Sequence, residues 1–176
     1  MKSFQVGIIG REKIDIDDKE QLYAIDEAYN LGKLLAREKY TVLTGGLGGI
    51  MEAVCRGVYE NHGNSIGIIP KLSEEEKKTR KINDFQNCKI HTGMDQRLRI
   101  PIFINSCDAI IIISGGMGTW LEACFALANE IPIITLPKTG RMAKKISFDS
   151  TFSEKIIISE SIDDVLSILN YLRNEN

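Results

Sequence analysis

Apolar residues fall along the chain in short continuous runs, separated by longer stretches in which they recur every three or four positions. Most of the short runs are rich in isoleucine and do not alternate with polar residues. Such runs are typical of parallel strands that are covered on both faces of a sheet. They predict six strands, at Gln5–Ile9, Thr41–Thr44, Ser65–Ile69, Asp108–Ile113, Ile131–Leu136 and Lys155–Ser159.

The longer stretches predict helices. In the first, Asp17 is a candidate N-cap with Glu20 three residues later, and apolar residues follow at helical spacing from Leu22 to Leu35. Alternation of strands and helices favours β-α-β units with right-handed crossovers. We therefore predict an α/β fold, with a doubly wound, mostly parallel, Rossmann-like sheet, helices on both faces, and one domain over residues 1–176. The other predicted helices are Ile50–Glu60, Gln96–Ser106, Leu121–Asn129 and Ile162–Leu172.

Two segments do not follow this alternation. Lys71–Lys81 reads KLSEEEKKTRK, a charge run that predicts a solvated loop or an exposed helix. Pro137–Phe152 is long for a connection in a compact domain. It is either a plain surface loop or a lid over the site.

A pair of similar glycine-rich segments is the most informative feature. Residues 44–53 read TGGLGGIMEA and residues 114–123 read SGGMGTWLEA. In both, a hydroxyl residue ends an apolar run, a Gly-Gly-x-Gly turn follows, and a helix begins that carries Glu and then Ala. Glycines allow positive φ and close approach of a ligand, and the free N–H groups at a helix start attract anions. Such loops at the carboxyl ends of parallel strands face the crevice in which open α/β sheets bind ligands.

We therefore predict a phosphate site built from both loops, the alternative being glycine turns that merely allow tight packing. Neither loop matches the dinucleotide fingerprint or the Walker phosphate loop, so NAD-linked redox chemistry and ATP hydrolysis are disfavoured. The candidate residues lie in the loops or directly after the first strand: Gly10, Thr44, Gly45, Gly46, Gly48, Gly49, Ser114, Gly115, Gly116, Gly118 and Thr119.

Charged residues near the loops are the candidates for chemistry. Glu52 and Glu122 each lie close to the start of the helix after a loop. The helix dipole alone favours a carboxylate there, but beside an anion site it can also serve ribose hydroxyls or a glycosidic carbon. Arg97 and Arg99 precede the strand that leads into the second loop, and each is either a source of positive charge for the site or a surface charge.

Composition narrows the class of protein. The chain has 176 residues and a formal net charge of −2, so it has no bulk positive field for nucleic acid or acidic lipid. No secretory signal or membrane-length apolar stretch is visible, and the four cysteines form no C-x-x-C pair. Cys88 and His91 have no second ligand pair beside them, so no zinc site is expected. We predict a soluble cytoplasmic protein that needs no metal and no organic cofactor.

The ordered motifs resemble a known superfamily. SGGMGTWLE at Ser114–Glu122 resembles the P-G-G-x-G-T-x-x-E signature of the LOG (lonely guy) phosphoribohydrolases, long described as lysine decarboxylases. TGGLGGIMEA resembles their upstream glycine loop. The similarity is closer still to the short molybdenum-cofactor carrier proteins, in which T-G-G-x-G-G-V-M-E-A, a T-G-M-x-x-R segment and S-G-G-x-G-T follow in this order. The resemblance extends from about Phe4 to Leu136.

The resemblance implies site residues. In the LOG-type enzymes the glycine loops hold a nucleoside 5′-monophosphate, and a Glu and an Arg act on the ribose N-glycosidic bond. The Glu matches Glu122. The Arg matches Arg97 when counted from Met94 and Arg99 when counted back from Asp108, and we prefer Arg99.

The chain also departs from the enzymes. Ser114 replaces the signature Pro, Asp95 replaces a His, and no Lys follows either arginine. We therefore prefer a carrier or sensor that binds a nucleoside monophosphate or pterin-nucleotide. The alternative is a phosphoribohydrolase that releases free base and ribose 5-phosphate, and a third hypothesis is a structural partner whose glycine loops only pack. We expect a homodimer or higher homo-oligomer, with no nucleic-acid or membrane partner.

Overall fold

A computed structural model describes residues 3–153 and 155–175. In these residues one sheet contains seven strands, which are β1 (Gln5–Gly10), β2 (Thr41–Thr44), β3 (Asn64–Ile69), β4 (Cys88–His91), β5 (Ala109–Ile113), β6 (Ile133–Leu136) and β7 (Ile156–Ile158). All neighbouring pairs are parallel, and the order is β4-β3-β2-β1-β5-β6-β7. The predicted doubly wound parallel sheet is confirmed.

Helices cover both faces of the sheet. One core contains Leu31, Val54 and Leu169 from the first, second and last helices, and the other contains Phe103, Ala123 and Ile146. The helices are α1 (Lys19–Arg37), α2 (Ile50–Glu60), α3 (Glu74–Lys77), α4 (Ile100–Asn105), α5 (Met117–Ala128), α6 (Arg141–Ser147) and α7 (Ile162–Glu175), with a 3₁₀ turn at Pro137–Thr139.

Helices α1 and α2 approach closely because each presents a glycine to the other. A Cβ atom added at Gly32 would collide with the carbonyl oxygen of Val54, and one added at Gly57 would collide with that of Tyr29. These two glycines let α1 and α2 pack closely against each other over the first core.

Three local expectations are corrected. Asp18, not Asp17, caps α1, because its Oδ1 accepts from the backbone N of Glu20 at 3.0 Å and of Gln21 at 3.3 Å. Helix α4 begins at Ile100 and not at Gln96, and its second residue is Pro101, a residue suited to a helix start. Strand β4 was not predicted, because its four residues are all exposed at the sheet edge and form no apolar run.

The two irregular segments are both partly helical. The charge run contains the single-turn helix α3, capped by Ser73. Segment 137–152 is neither a plain surface loop nor a lid. It folds as the 3₁₀ turn and α6, and it buries Ala143, Ile146 and Phe152 in the second core.

No helix within the described residues is both long enough and apolar enough to cross a membrane.

Candidate functional site

The strand order reverses at β1, where the chain continues to β2 on one side and β5 lies on the other. Ligands of open α/β sheets bind at such a switch point, outside the carboxyl ends of the strands. A cleft of about 160 Å³ lies there. Gly10 at the end of β1, with Arg11 and Glu12 directly after it, forms one side, and residues of the second glycine loop and of α5 form the other.

The second loop opens toward this cleft. Ser114 and Gly115 have φ values of 55° and 111°, so the backbone turns through the left-handed region directly after β5. A Cβ atom added at Gly116 or Gly118 would meet no described atom within 4 Å, so packing does not demand glycine at either position. Both glycines line the cleft together with Thr119, at the start of the twelve-residue helix α5. The geometry suits an anion at a helix N-terminus.

The first loop has different surroundings. Gly45 and Gly46 are buried, and a Cβ atom at Gly45 would lie 2.5 Å from Nη2 of Arg99. At Gly46, whose φ is 77°, it would lie 2.6 Å from Cγ1 of Ile69. The carbonyl oxygen of Gly46 accepts a hydrogen bond from the backbone N of Asn83 at 3.0 Å. The backbone N of Gly46 donates to Thr44 Oγ1 at 3.1 Å. These glycines make room for protein atoms, as in the packing alternative.

The rest of the first loop contacts the end of β1. A Cβ atom at Gly49 would collide with the carbonyl oxygens of Arg11 and Glu12, and the backbone N of Ile50 donates to Arg11 O at 2.9 Å. At Gly48 an added Cβ atom would make only ordinary van der Waals contacts, the nearest with Glu12 O at 3.5 Å. Glycine at position 49 therefore lets the first loop touch the end of β1. A Cβ atom at Gly10 would lie 2.5 Å from the carbonyl oxygen of Ile113, which is also a packing requirement.

Arg99 is the central charge of the site. Its side chain is 2% exposed, it lines the cleft, and its Nη2 lies 3.5 Å from Oε1 of Glu122. Its Nε and Nη1 are buried and have no hydrogen-bond partner in the described part of the chain. Burial lowers the pKa of Arg99, and the negative charge of Glu122 opposes this effect. A buried guanidinium with two unused donor nitrogens is suited to receive an anion.

Glu122 faces Arg99 from the second turn of α5. Burial raises its pKa to about 7, and Arg99 acts in the opposite direction. The side chain is therefore poised to gain or lose a proton near neutral pH, as acid–base groups in enzyme sites are.

The two candidate arginines are separated by their surroundings. Arg97 is exposed, and its backbone N donates to Oδ1 of Asp95 at 2.7 Å. It lies in a groove that borders the cleft and contains Met117, Trp120 and Leu121. Only one of the two arginines, Arg99, lines the cleft itself.

Glu52 and Glu122, which match in the sequence, do not face the same cavity. Glu52 lines a groove of about 650 Å³ between α1 and α2, with apolar walls that include Ile25, Tyr29 and Phe85. Glu12 lines both this groove and the cleft. The sequence repeat therefore does not extend to equivalent roles of the two carboxylates.

Four cleft residues were missed by sequence reasoning: Arg11, Glu12, Met51 and Gln96. The first two directly follow Gly10 at the end of β1. The signal that could have found them is the position of β1 at the switch point, which requires the strand order.

Segment 137–152 holds the start of the second loop by hydrogen bonds to Ser114. The backbone N of Ser114 donates to Thr139 Oγ1 at 2.8 Å, and the backbone N of Ala143 donates to Ser114 O at 2.8 Å. Thr139 Oγ1 in turn donates to Leu136 O at 2.6 Å. We call Pro137–Ser147 the brace, because both polar groups of the Ser114 backbone are bound by it.

Together, the parallel sheet, the glycine loops and the arginine–glutamate pair define a Rossmann-like protein of the LOG and molybdenum-cofactor carrier superfamily. Within that class, the chain belongs to the SLOG cluster 4 family, whose model matches residues 3–166.

Individual relatives agree with this assignment. The chain is 36% identical to an uncharacterized protein of Archaeoglobus fulgidus, over 77% of this chain and 82% of that one. It is 29% identical to a probable cytokinin riboside 5′-monophosphate phosphoribohydrolase of Oryza sativa subsp. japonica, over 80% of this chain and 58% of the rice protein. The solved structure of the molybdenum cofactor binding protein of Rippkaea orientalis matches with a TM-score of 0.80 and 26% identity, over 98% of each chain.

Proposed function

We propose that the protein binds a phosphorylated nucleotide-like molecule, a nucleoside monophosphate or a pterin-nucleotide, as a carrier or sensor. The phosphate contacts Gly116, Gly118 and the N-terminus of α5, and Arg99 supplies the positive charge. The observation that carries the proposal is the buried Arg99 guanidinium, with two donor nitrogens that no described residue uses, beside a loop whose glycines packing does not require. Neither feature alone requires a ligand, but their convergence in one cleft favours an anion.

The names of two relatives support this class of ligand. One denotes binding of molybdenum cofactor, and the other denotes action on a riboside 5′-monophosphate. The ligand class is common to a carrier and to an enzyme, so the binding proposal does not depend on which of the two this chain is. A cytoplasmic location and a single functional unit over residues 1–176 belong to the same proposal.

Calorimetric titration with a panel of nucleoside monophosphates, in the presence of a chelator, tests the binding. We expect metal-free binding by the wild type, a loss of about ten-fold or more in Arg99→Ala, and little change in Arg97→Ala. The two variants are matched, because they remove the same side chain from buried and exposed positions two residues apart. Binding that appears only with added Mg²⁺, or an equal loss in both variants, would contradict the proposed site.

Hydrolysis of the N-glycosidic bond is the second candidate, favoured by the pKa of about 7 at Glu122. In this reaction water adds to the anomeric carbon, the bond from that carbon to the base breaks, and the base leaves with a proton. Positive charge develops on the sugar, which an ionised Glu122 stabilises while Arg99 steadies the phosphate or the leaving base.

Chromatographic assay of base release from AMP separates the two candidates. For a carrier, the wild type releases no base over hours, and Glu122→Gln changes ligand preference alone. For an enzyme, Glu122→Gln keeps affinity within a few fold and lowers turnover by orders of magnitude, since the amide retains size and loses the charge. Hydrolysis by the wild type would overturn the carrier, and unchanged hydrolysis in Glu122→Gln would overturn this mechanism.

We also propose that the protein assembles as a homodimer or larger homo-oligomer. Support comes from four exposed apolar side chains on or next to α4 and α5, which are Leu98, Ile102, Met117 and Leu121 and are together called the α4–α5 face below. Met117 and Leu121 line the groove that borders the cleft. Large apolar surfaces of this kind mark interaction sites.

A further inference from the structure

The charge run at 71–81 is not exposed to solvent over its whole length. Arg80 keeps only 11% of its side chain exposed, and it forms a two-point ion pair with Glu12, a residue 68 positions earlier. Its Nε donates to Glu12 Oε1 and its Nη2 donates to Glu12 Oε2, each at 2.8 Å. The remaining nitrogen, Nη1, donates to Glu76 Oε1 at 3.1 Å. Parallel donors of this kind fix both the position and the orientation of a carboxylate.

The carboxylate held in this way belongs to the cleft. Glu12 follows the end of β1, lines the cleft, and is 22% exposed. Arg80 donates one hydrogen bond to each carboxylate oxygen, and each oxygen can accept a further one. The backbone around Glu12 is also held, because Ile50 donates to the neighbouring carbonyl of Arg11. The Glu12 carboxylate is thus held in place, and each of its oxygens can accept one more hydrogen bond.

The two sides of the cleft offer different groups. Arg99 and the start of α5 attract an anion on one side, whereas Glu12 on the other presents carboxylate oxygens, whose charge is balanced by Arg80 and the neighbouring Arg11. A second phosphate facing these oxygens would bring no proton to donate to them, whereas a hydroxyl or N–H group there would be bound. In a nucleoside monophosphate the group next to the phosphate is the ribose, whose hydroxyls are hydrogen-bond donors.

We propose that Glu12, positioned by Arg80, accepts hydrogen bonds from the ribose diol and so selects ribonucleoside monophosphates over deoxy and bisphosphorylated analogues. The inference rests on the proposed function and adds the sugar to it. Glu12 is the specificity-determining residue, and Arg80 is a positioning residue that acts through it.

Titration of AMP, 2′-deoxy-AMP and adenosine 3′,5′-bisphosphate tests the assignment. We expect the wild type to bind AMP about ten-fold or more tightly than 2′-deoxy-AMP, as loss of a hydrogen bond to a charged group implies. In Glu12→Ala this preference should fall to within about two-fold, because AMP loses its hydrogen bonds from both hydroxyls and 2′-deoxy-AMP has only the bond from its 3′-hydroxyl to lose. The bisphosphate should bind more tightly to this variant, since the Glu12 carboxylate is gone and Arg80 is released.

Two variants separate specificity from a purely structural ion pair. Arg80→Met should lower the preference for AMP, because Glu12 is no longer oriented. Glu76→Gln is the control: it removes the other carboxylate that binds Arg80, leaves the Glu12 pair intact, and should leave the preference unchanged. A merely structural pair would change the melting temperature in both Arg80→Met and Glu12→Ala, without changing the ratio of the two affinities.

The outcomes for this inference and for the proposed function are distinct. Wild-type binding of AMP without preference over 2′-deoxy-AMP, or a preference retained in Glu12→Ala, would overturn the role of Glu12 and leave the phosphate site intact. Failure of the wild type to bind any of the three nucleotides would overturn the proposed function and this inference with it. If Glu12→Ala does not fold, Glu12→Met supports the same comparison, because it keeps about the length of the side chain and has no oxygen to accept the hydrogen bonds.

Discussion

At the scale of single residues, the two glycine loops contain glycine for different reasons. A substitution at Gly118 distinguishes glycine that packing requires from glycine that leaves room for a ligand. An added Cβ there meets no described atom within 4 Å, and the residue lies inside α5, where alanine is the better helix former. Gly118→Ala should therefore raise the free energy of unfolding by about 0.5–1 kcal/mol. The same methyl group occupies the proposed phosphate position, so the affinity for nucleoside monophosphates should fall about ten-fold or more. Urea denaturation and calorimetry measure the two effects.

Gly45→Ala is the matched comparison in the first loop. Its Cβ would lie 2.5 Å from Nη2 of Arg99, so stability and affinity should both fall. Unchanged affinity in Gly118→Ala would place the phosphate elsewhere.

The pKa of Glu122 predicts how stability changes with pH. The folded protein holds this proton up to a pKa of about 7, whereas the ordinary value, expected for the unfolded chain, is 4.5. Between these values the folded state binds more protons than the unfolded state, so the stabilisation from Glu122 is complete at low pH and is lost as pH rises toward 7. The free energy of unfolding should fall by about 1–3 kcal/mol as this stabilisation is lost.

Urea denaturation at pH 5 and pH 8 checks this expectation in ligand-free protein. Glu122→Gln, which does not titrate, should lack this part of the decline that the wild type shows between the two values. An identical pH dependence in the two proteins would mean that Glu122 is ionised throughout.

The sequence could identify site residues only where they lie in a recognisable local motif. Glu122 follows a glycine loop at fixed spacing, and the count from Asp108 favoured Arg99, the arginine that lines the cleft. Neither route reaches Glu12 or Arg80, because no local pattern relates residues 68 positions apart. The repeat also predicted equal roles for Gly46 and Gly116, whereas Ile69 lies against the first and open space against the second.

At the scale of elements, the brace connects the interior of the second core to the second glycine loop through Thr139. Thr139→Val keeps the shape of the side chain and removes its hydrogen bond to the backbone N of Ser114. A buried N–H without a partner costs about 1–3 kcal/mol. We expect this loss of stability, measured by urea denaturation, and a weaker affinity for nucleoside monophosphates, because Ser114 no longer holds its left-handed conformation firmly.

Ser65→Ala is the control for the brace. Ser65 is also buried, and its Oγ donates to Asn87 Oδ1 at 2.9 Å, with both residues outside the brace and the second loop. Its loss should cost stability and leave affinity nearly unchanged. Equal effects of the two variants on affinity would show that binding responds to stability and not to the brace.

The elements that the sequence predicted best are those whose burial is complete. β5 is five consecutive buried residues, four of them isoleucine, and no other described element produces so plain a pattern. β4 was not predicted as an element, because it is exposed and contains few apolar residues. The charge run was left open between a solvated loop and an exposed helix, and α3 is the exposed helix within it. Segment 137–152 was treated as one connection because its buried residues are spread over a turn and a short helix.

At the scale of the whole molecule, the α4–α5 face lies next to the cleft, on the side away from α1 and α2. Met117 is 77% exposed, Leu98 64% and Leu121 47%, and residues of α5 contribute to both this face and the cleft. A second copy of the chain that covers the face would remove these side chains from water. It would also narrow the entrance beside Gly118 and Glu122, so assembly and binding should be coupled.

Leu121→Glu tests this coupling, because it places a charge on the α4–α5 face at a residue that is 47% exposed. By light scattering coupled to size-exclusion chromatography, we expect an oligomeric wild type and a variant shifted toward monomer. Leu22→Glu is the matched control, since Leu22 is 42% exposed on α1 over the opposite face of the sheet. The monomeric variant should bind nucleoside monophosphates more weakly than the control, as the cleft stays open to solvent. A wild type that is monomeric at every concentration, or an unchanged assembly of Leu121→Glu, would assign this apolar face to a different partner.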